Sequence, residues 1–367
     1  MAKPTLSDIQ AKIDTGRLSW RARTTSMSRL RGTDAARRLG LAVPEGERDR
    51  ITAAVTAEGD VKRRAVPHSD QRDWRNSDGA SYVTAIRDQG GCGSCVSFAT
   101  VATIESQALI EFKAPTWAVD LSEAELFFCG GAKCADGWWP PEALKYAAAE
   151  AGLGDEACMP YNAQDQACNI AADKPARMLR VGDWQEIAGV DQRKGWLDST
   201  GPLVACLAVY EDFFHYGGGI YQHATGDLVG YHAVSCVGFN DTEKYWLCKN
   251  SWGADWGDGG FFKIAYGEAE IDTSFAMYGV SGITGTLSPD ELKDEGNGVA
   301  DYVVLRSDAD VDVLWAHVEG KWRHFRVAPG RLAEISETAF AANPVRVTYQ
   351  GETVVDLSSW KSYGGDN

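Results

Sequence analysis

Histidine is scarce in this chain, 6 in 367 residues, and no His/Cys grouping has zinc spacing, so no metal is expected. The Asp and Glu residues towards the C-terminus lack calcium-loop spacing. No motif asks for a cofactor. No run of 18 apolar residues occurs, so no membrane span is expected. No apolar stretch follows Met1, so no standard secretory leader is visible. Internal repeats and low-complexity tracts are lacking, which argues against a solenoid. Positive charge is the minority sign, with 36 Lys+Arg against 52 Asp+Glu and a net of −16. It is also uneven. Residues 1–64 hold 14 Lys+Arg and 8 Asp+Glu, a net of +6, which leaves −22 for the remainder. A single aromatic, Trp20, in that basic stretch argues against a nucleic-acid role. Charge complementarity points instead to an arm that docks on its own acidic remainder.

Cysteine is abundant. Nine cysteines are many for a cytosolic protein and favour a secreted or periplasmic setting, against the missing leader. Hydrophobic residues at 44% and 13 tryptophans furnish sizeable cores, and the length suits two or three units.

One of those cysteines stands out. Asp88-Gln89-Gly90-Gly91-Cys92-Gly93-Ser94-Cys95 runs directly into an apolar helical stretch. Val101, Ile104, Ala108 and Phe112 recur at helical spacing and predict a helix buried beneath Cys95. A helix N-terminus offers partial positive charge and free N–H groups, which favour the thiolate and lower its pKa. The Gln89 side chain and the Cys95 amide are suited to stabilise an oxyanion. A thiolate nucleophile needs a basic partner, and that partner an orienter. His232 lies in the strand-like Gly230–Phe239 stretch. Asn250 follows 18 residues later in Asn250-Ser251-Trp252-Gly253, and its carbonyl suits the second imidazole N–H.

These segments resemble the papain-like cysteine peptidases. The family pattern of Q-x-x-C-G-S-C, then H-A-V, then N-S-W-G is read here at Gln89–Cys95, His232–Val234 and Asn250–Gly253. His232 follows Cys95 by 137 residues, within the family's range of roughly 130–150. Leu121–Leu126, Met159-Pro160-Tyr161 and Gly201–Val204 resemble further landmarks, and the likeness covers roughly residues 65–283. The resemblance implies an α+β fold of two lobes, one helical and one β-barrel-like, with Cys95 and His232 meeting across a cleft. It implies Cys95 as nucleophile, His232 as general acid/base, Asn250 as orienter, Gln89 in the oxyanion hole and Trp252 as a cover for the Asn–His pair. The implied reaction is peptide hydrolysis through a thioester.

The resemblance also implies the disulfides Cys92–Cys134 and Cys129–Cys168. Cys206, Cys236 and Cys248 are expected as small buried hydrophobes, with a cross-strand contact open to Cys236 and Cys248. The family's substrate loop is here Lys133–Trp139. Gly137 keeps the glycine whose backbone pairs with an extended substrate, while Asp136 and Trp138 depart from the pattern. Trp138 reads equally as the wall of an apolar substrate pocket or as core. Val96 and Tyr231 are further departures.

Residues 1–64 read as a basic pro-segment cut near Lys62-Arg63-Arg64, docked on the catalytic domain and inhibiting it. Ser7–Gln10 offers a capped helix start, with Ile9, Ile13 and Leu18 near one face. Thr33–Leu41 suggests a second short helix. From Leu18 to Gly40 the arm looks like those on bacterial relatives. Residues 284–367 carry β-branched runs at 302–306, 311–318, 322–327, 345–349 and 353–357, read as a small β-sandwich or barrel. A protein or polysaccharide ligand is one expectation for that region, and His317 and His324 are expected as sheet residues. The reading is a cysteine endopeptidase made as a zymogen. Its rivals are a transpeptidase, a dedicated processing protease and an inactive binding scaffold.

Overall fold

The computed structural model describes residues 3–30, 33–60 and 67–287, and beyond them five strands within residues 303–356. The cut expected at Lys62–Arg64 and the polar start at Ser288–Glu291 lie outside the described residues, as do residues 319–320 and 350–351 of two expected turns. The chain divides into two compact units, Met1–Leu287 and Ser288–Asn367. The division falls after Leu287, not Ile283, because strand β12 (Thr284–Gly285) pairs Thr284 with Arg180 and Gly285 with Leu179 in the first unit.

Helix α1 (Leu6–Gly16) begins the arm. Its cap is Thr5, not Ser7: the Thr5 hydroxyl accepts from Asp8 N–H while Asp8 accepts from Thr5 N–H, a reciprocal capping box. Ile9 and Ile13, one turn apart, are both buried. Strand β1 (Trp20–Ala22) pairs antiparallel with β7 (Tyr216–Tyr221), so the arm adds an edge strand to the body's sheet. The helix expected over 33–41 is reduced to one 3-10 turn, Ala36–Arg38. Beyond it the chain is drawn out by pairing with the body, and helix α2 (Glu47–Asp60) follows.

After β2 (Gln71–Asp73), which joins the sheet of the second lobe, the helical lobe holds α3 (Cys95–Glu111) and α4 (Pro140–Ala147). All but the last two residues of α3 are buried, as its apolar run predicts. The lobe boundary carries short β3 (Leu153–Gly154) and β4 (Met178–Arg180). The second lobe comprises β5 (Asp183–Ile187), α5 (Val190–Ser199), β6 (Leu203–Tyr210), β7, β8 (Leu228–Asn240), β9 (Tyr245–Lys249), β10 (Phe261–Ala265) and β11 (Met277–Ser281). Its sheet runs β1-β7-β10-β9-β8-β6-β11-β5, with β2 also on β8. The centre is β8, flanked by β6 and β9 in antiparallel register, and α3 lies against it. One apolar core fills the helical lobe around Val101, Ile104 and Leu126. The other fills the β lobe, and the arm's Ile9, Ile13, Trp20 and Met27 belong to it.

Both expected disulfides form, Cys92–Cys134 and Cys129–Cys168. The remaining five cysteines are free and buried, with Cys236 directly opposite Cys248 across β8 and β9.

In the second unit, β13 (Val303–Asp308), β14 (Val311–Val318) and β15 (Lys321–Val327) form an antiparallel meander. A separate hairpin joins β16 (Arg346–Tyr349) and β17 (Glu352–Asp356). His317 and His324 lie in β14 and β15, opposite Trp322 and Trp315.

Candidate active site

Cys95 is the first residue of α3, and its sulfur is fully buried. The backbone amides of Ala233, Gly40, Val96 and Cys95 itself face it and favour the thiolate. Burial outweighs them and pushes the thiol up to about 11, the opposite of the lowered value expected from the helix start. The helix N-terminus is where the motif puts it, but the sulfur there is wholly buried, with the arm's Gly40 amide among the groups that face it.

His232 sits in β8, equally buried, and its Nε2 is 2.8 Å from Asn250 Oδ1. The Trp252 ring lies over the imidazole with centroids 4.6 Å apart. Burial pulls the imidazole down to about 4 against the opposing effects of Asn250 and the Arg38 carbonyl. Both groups are therefore neutral across the middle of the pH range. Asn250 Oδ1 also accepts the Ser251 N–H, which fixes the amide.

Gln89 is held from three sides. Its N–H donates to Ser251 O, its Oε1 accepts from Ser251 Oγ at 2.8 Å, and its Nε2 donates to Cys92 O. The Tyr161 hydroxyl donates to Gln89 O and shares a hydrogen bond with Ser94 Oγ. Ser251 and Tyr161 are positioning residues that the sequence reading passed over, although both stand inside its quoted motifs. Below Asn250, the buried Lys249 donates to Thr84 Oγ1, which donates to Glu105. Burial lowers the Lys249 ammonium and raises the Glu105 carboxyl.

The arm crosses this site through its backbone. Gln89 Nε2 donates to Arg38 O at 3.0 Å. Trp138 N–H donates to Gly40 O at 2.8 Å, Ala42 N–H to Trp138 O at 2.9 Å and Leu41 N–H to Tyr231 O. The strap runs parallel to Trp138. Only glycine fits at 40, where a Cβ would lie 1.8 Å from Gly93 O. Gly137, at φ +70°, is needed for the same approach, since its Cβ would meet Gly40 O. The arm's part in the site was not read from the sequence. Its one local signal is a glycine between Leu39 and Leu41.

Trp138 acts in two directions. Its backbone holds the strap, while its ring stands edge-on to Phe127 at 6.1 Å and against Gly130. The ring is packed in the helical-lobe core. Asp136 is exposed in the turn, its N–H bonded to Lys133 O.

Comparison with known proteins accords with this geometry. The family described as papain family cysteine protease matches residues 68–280. Cathepsin B-like cysteine proteinase 2 of Haemonchus contortus is 34% identical over 262 residues, covering 60% of this chain and 72% of the relative. Thiol protease aleurain of Arabidopsis thaliana is 32% identical, over 61% of this chain and 62% of aleurain. The solved proCathepsin B S9 from Trypanosoma congolense superposes with a TM-score of 0.61 at 22% identity, over 76% of this chain and 98% of that one. Procathepsin L2 from Tenebrio molitor gives 0.61 at 23% identity, over 76% and 89%. At these identities the structural likeness is one of fold. The chain belongs to the papain family of cysteine proteases, and it is a thiol-dependent hydrolase of peptide bonds. The two sequence relatives are from a nematode and a plant, so the bacterial affinity expected of the arm is not reflected in them.

Proposed function

We propose that the chain is a cysteine endopeptidase zymogen in which residues 1–64 block a complete catalytic site. Cys95 attacks the scissile carbonyl, His232 takes the thiol proton and gives it to the leaving amine, and Asn250 holds the imidazole. Gln89 Nε2 and the Cys95 amide stabilise the oxyanion, and water then resolves the thioester. The observation that carries the zymogen reading is the hydrogen bond from Gln89 Nε2 to the arm's Arg38 carbonyl. A strap carbonyl takes the donor an oxyanion would use, while the Gly40 amide faces the sulfur.

The test is intact mass and peptidase activity of the purified chain, incubated between about pH 4 and 8 beside Cys95→Ala. Loss of roughly the first 64 residues, with activity appearing only in the unmutated chain, is the expected result. An unchanged mass, with no thiol-dependent cleavage of any peptide pool and no labelling by a thiol-reactive epoxide, would overturn it.

A further inference from the structure

The loop after β10 adopts a conformation that side chains resist. Ala269 and Glu270 both have positive φ, 46° and 62°. Each such non-glycine residue costs roughly 1–2 kcal/mol. The outcome is a carboxylate aimed at the arm. Glu270 Oε2 receives Arg48 Nε at 2.8 Å and Nη2 at 2.5 Å. The Arg48 guanidinium carbon also lies 5.2 Å from the centre of the Tyr231 ring, in cation–π range. Tyr231 in turn stands edge-on to Phe275, which fixes the ring face. A second aromatic and a second carboxylate are close by: the Tyr210 phenol is held above its ordinary range by burial first, then by Glu270, Tyr231 and Glu268.

This cation-binding corner touches the cleft. Tyr231 immediately precedes His232, and its carbonyl accepts the N–H of Leu41, next in the chain to the Gly40 amide at the sulfur. A peptide that takes the place of Leu41 on the Tyr231 carbonyl runs next to the residue whose ring Arg48 covers. Arg48 arrives there by a detour through the Pro44-Glu45-Gly46 turn and the first turn of α2. Every part of the corner except Arg48 belongs to the body that remains once the arm is gone.

We propose that Glu270 and the Tyr231 ring form a specificity subsite for an arginine or lysine side chain on the acyl half of the substrate, on the side of Cys95 where Leu41 and Ala42 run. Arg48 occupies this subsite as a stand-in while the arm is docked. The inference rests on the zymogen reading for its cleavage part and on the Arg48 geometry for its binding part. A bidentate-capable cation held by a carboxylate and an aromatic face distinguishes arginine from citrulline, which has the same shape without the charge.

Two measurements test it. The first needs no catalysis. In the full chain carrying Arg48→Ala, ligand-observed NMR with acetyl-arginine amide and acetyl-citrulline amide should show saturation of the arginine probe alone, lost on adding Glu270→Gln. Equal signals from the two probes would overturn the proposal whether or not the protein is a protease. The second uses the enzyme after removal of the arm and a positional fluorogenic peptide library. Arginine should exceed citrulline in kcat/KM by about tenfold at one acyl-side position, and Glu270→Gln should bring that ratio towards one. Selective uptake by the Arg48→Ala chain without selectivity in the matured enzyme would also overturn it, leaving Glu270 as an arm anchor only. Selective uptake with no thiol-dependent cleavage would support the subsite and reject the zymogen reading, so the two failures are distinguishable.

Discussion

The arm touches the body in two unlike ways. Its anchor, residues 5–27, buries side chains: Ile9, Ile13, Trp20 and Met27 enter the β-lobe core. Its strap, residues 36–42, meets the cleft through backbone hydrogen bonds, with Gly40 where no other residue fits, and adds the Arg38–Asp88 ion pair and the buried Leu41. The anchor carries holding strength, because apolar burial scales with area wherever it occurs. The strap carries the block, because only a thin extended backbone can lie over Cys95 and reach Gln89. Most of the strength therefore resides in the anchor and the blockade in the strap, and each should be separable from the other.

The largest test removes the anchor. Trp20 is buried, with its ring 5.2 Å from that of Tyr221 and 6.2 Å from that of Tyr216. Trp20→Ala should cost about 3–5 kcal/mol of arm docking. The uncut chain should then label at Cys95 with a thiol-reactive epoxide at neutral pH. Labelling as slow as in the parent would mean that the strap holds by itself.

The next lies in pH. Burial holds His232 down from 6.5 to about 4 and Cys95 up from 9.0 to about 11 in the covered form. A lowered pKa stabilises the covered form above 6.5 and is lost as pH falls through about 4. A raised one stabilises it below 9 and is lost as pH rises towards 11. Because the arm supplies part of that burial, docking should be firmest between these limits and weaken on acidification. Hydrogen exchange of the strap amides, corrected for intrinsic rate, should accelerate from pH 6.5 to 4. His232→Gln should flatten that dependence, and a profile unchanged by it would assign the acid response to other groups.

The smallest separates strap from anchor. Gly40→Ala forces a methyl group to within 1.8 Å of Gly93 O, a misfit of about 1–3 kcal/mol. Epoxide labelling of Cys95 should rise while exchange protection of residues 6–22 stays. If both segments lose protection together, the arm is one cooperative unit and the distinction drawn here fails.

Much of this was legible because it is local. Cys95 at a helix start, His232 in a strand and Asn250 in its loop were readable from contiguous motifs, and so were both disulfides once the family likeness was seen. Strands β6 and β9 are likewise apolar runs set off by turn residues. The illegible parts are set by distant neighbours. The helix expected over 33–41 gave way to an extended strap because Trp138, Tyr231 and Gln89 offer its backbone better partners than a short isolated helix has. The Trp138 ring turned into the core because Phe127 and Gly130 leave room for it there.

The sequence by itself determined the chemistry: a nucleophile, a base, an orienter and an oxyanion donor, each specified by residue type within a short motif. Tertiary structure alone decided the state of that chemistry. The thiol and imidazole are neutral because both are wholly buried between segments far apart in the chain. Desolvation is a sum over everything packed around a group, and no window of sequence contains that sum. The same holds for Glu270, an ordinary acidic residue in the chain and a cation-holding one only when Tyr231 and Arg48 are folded against it.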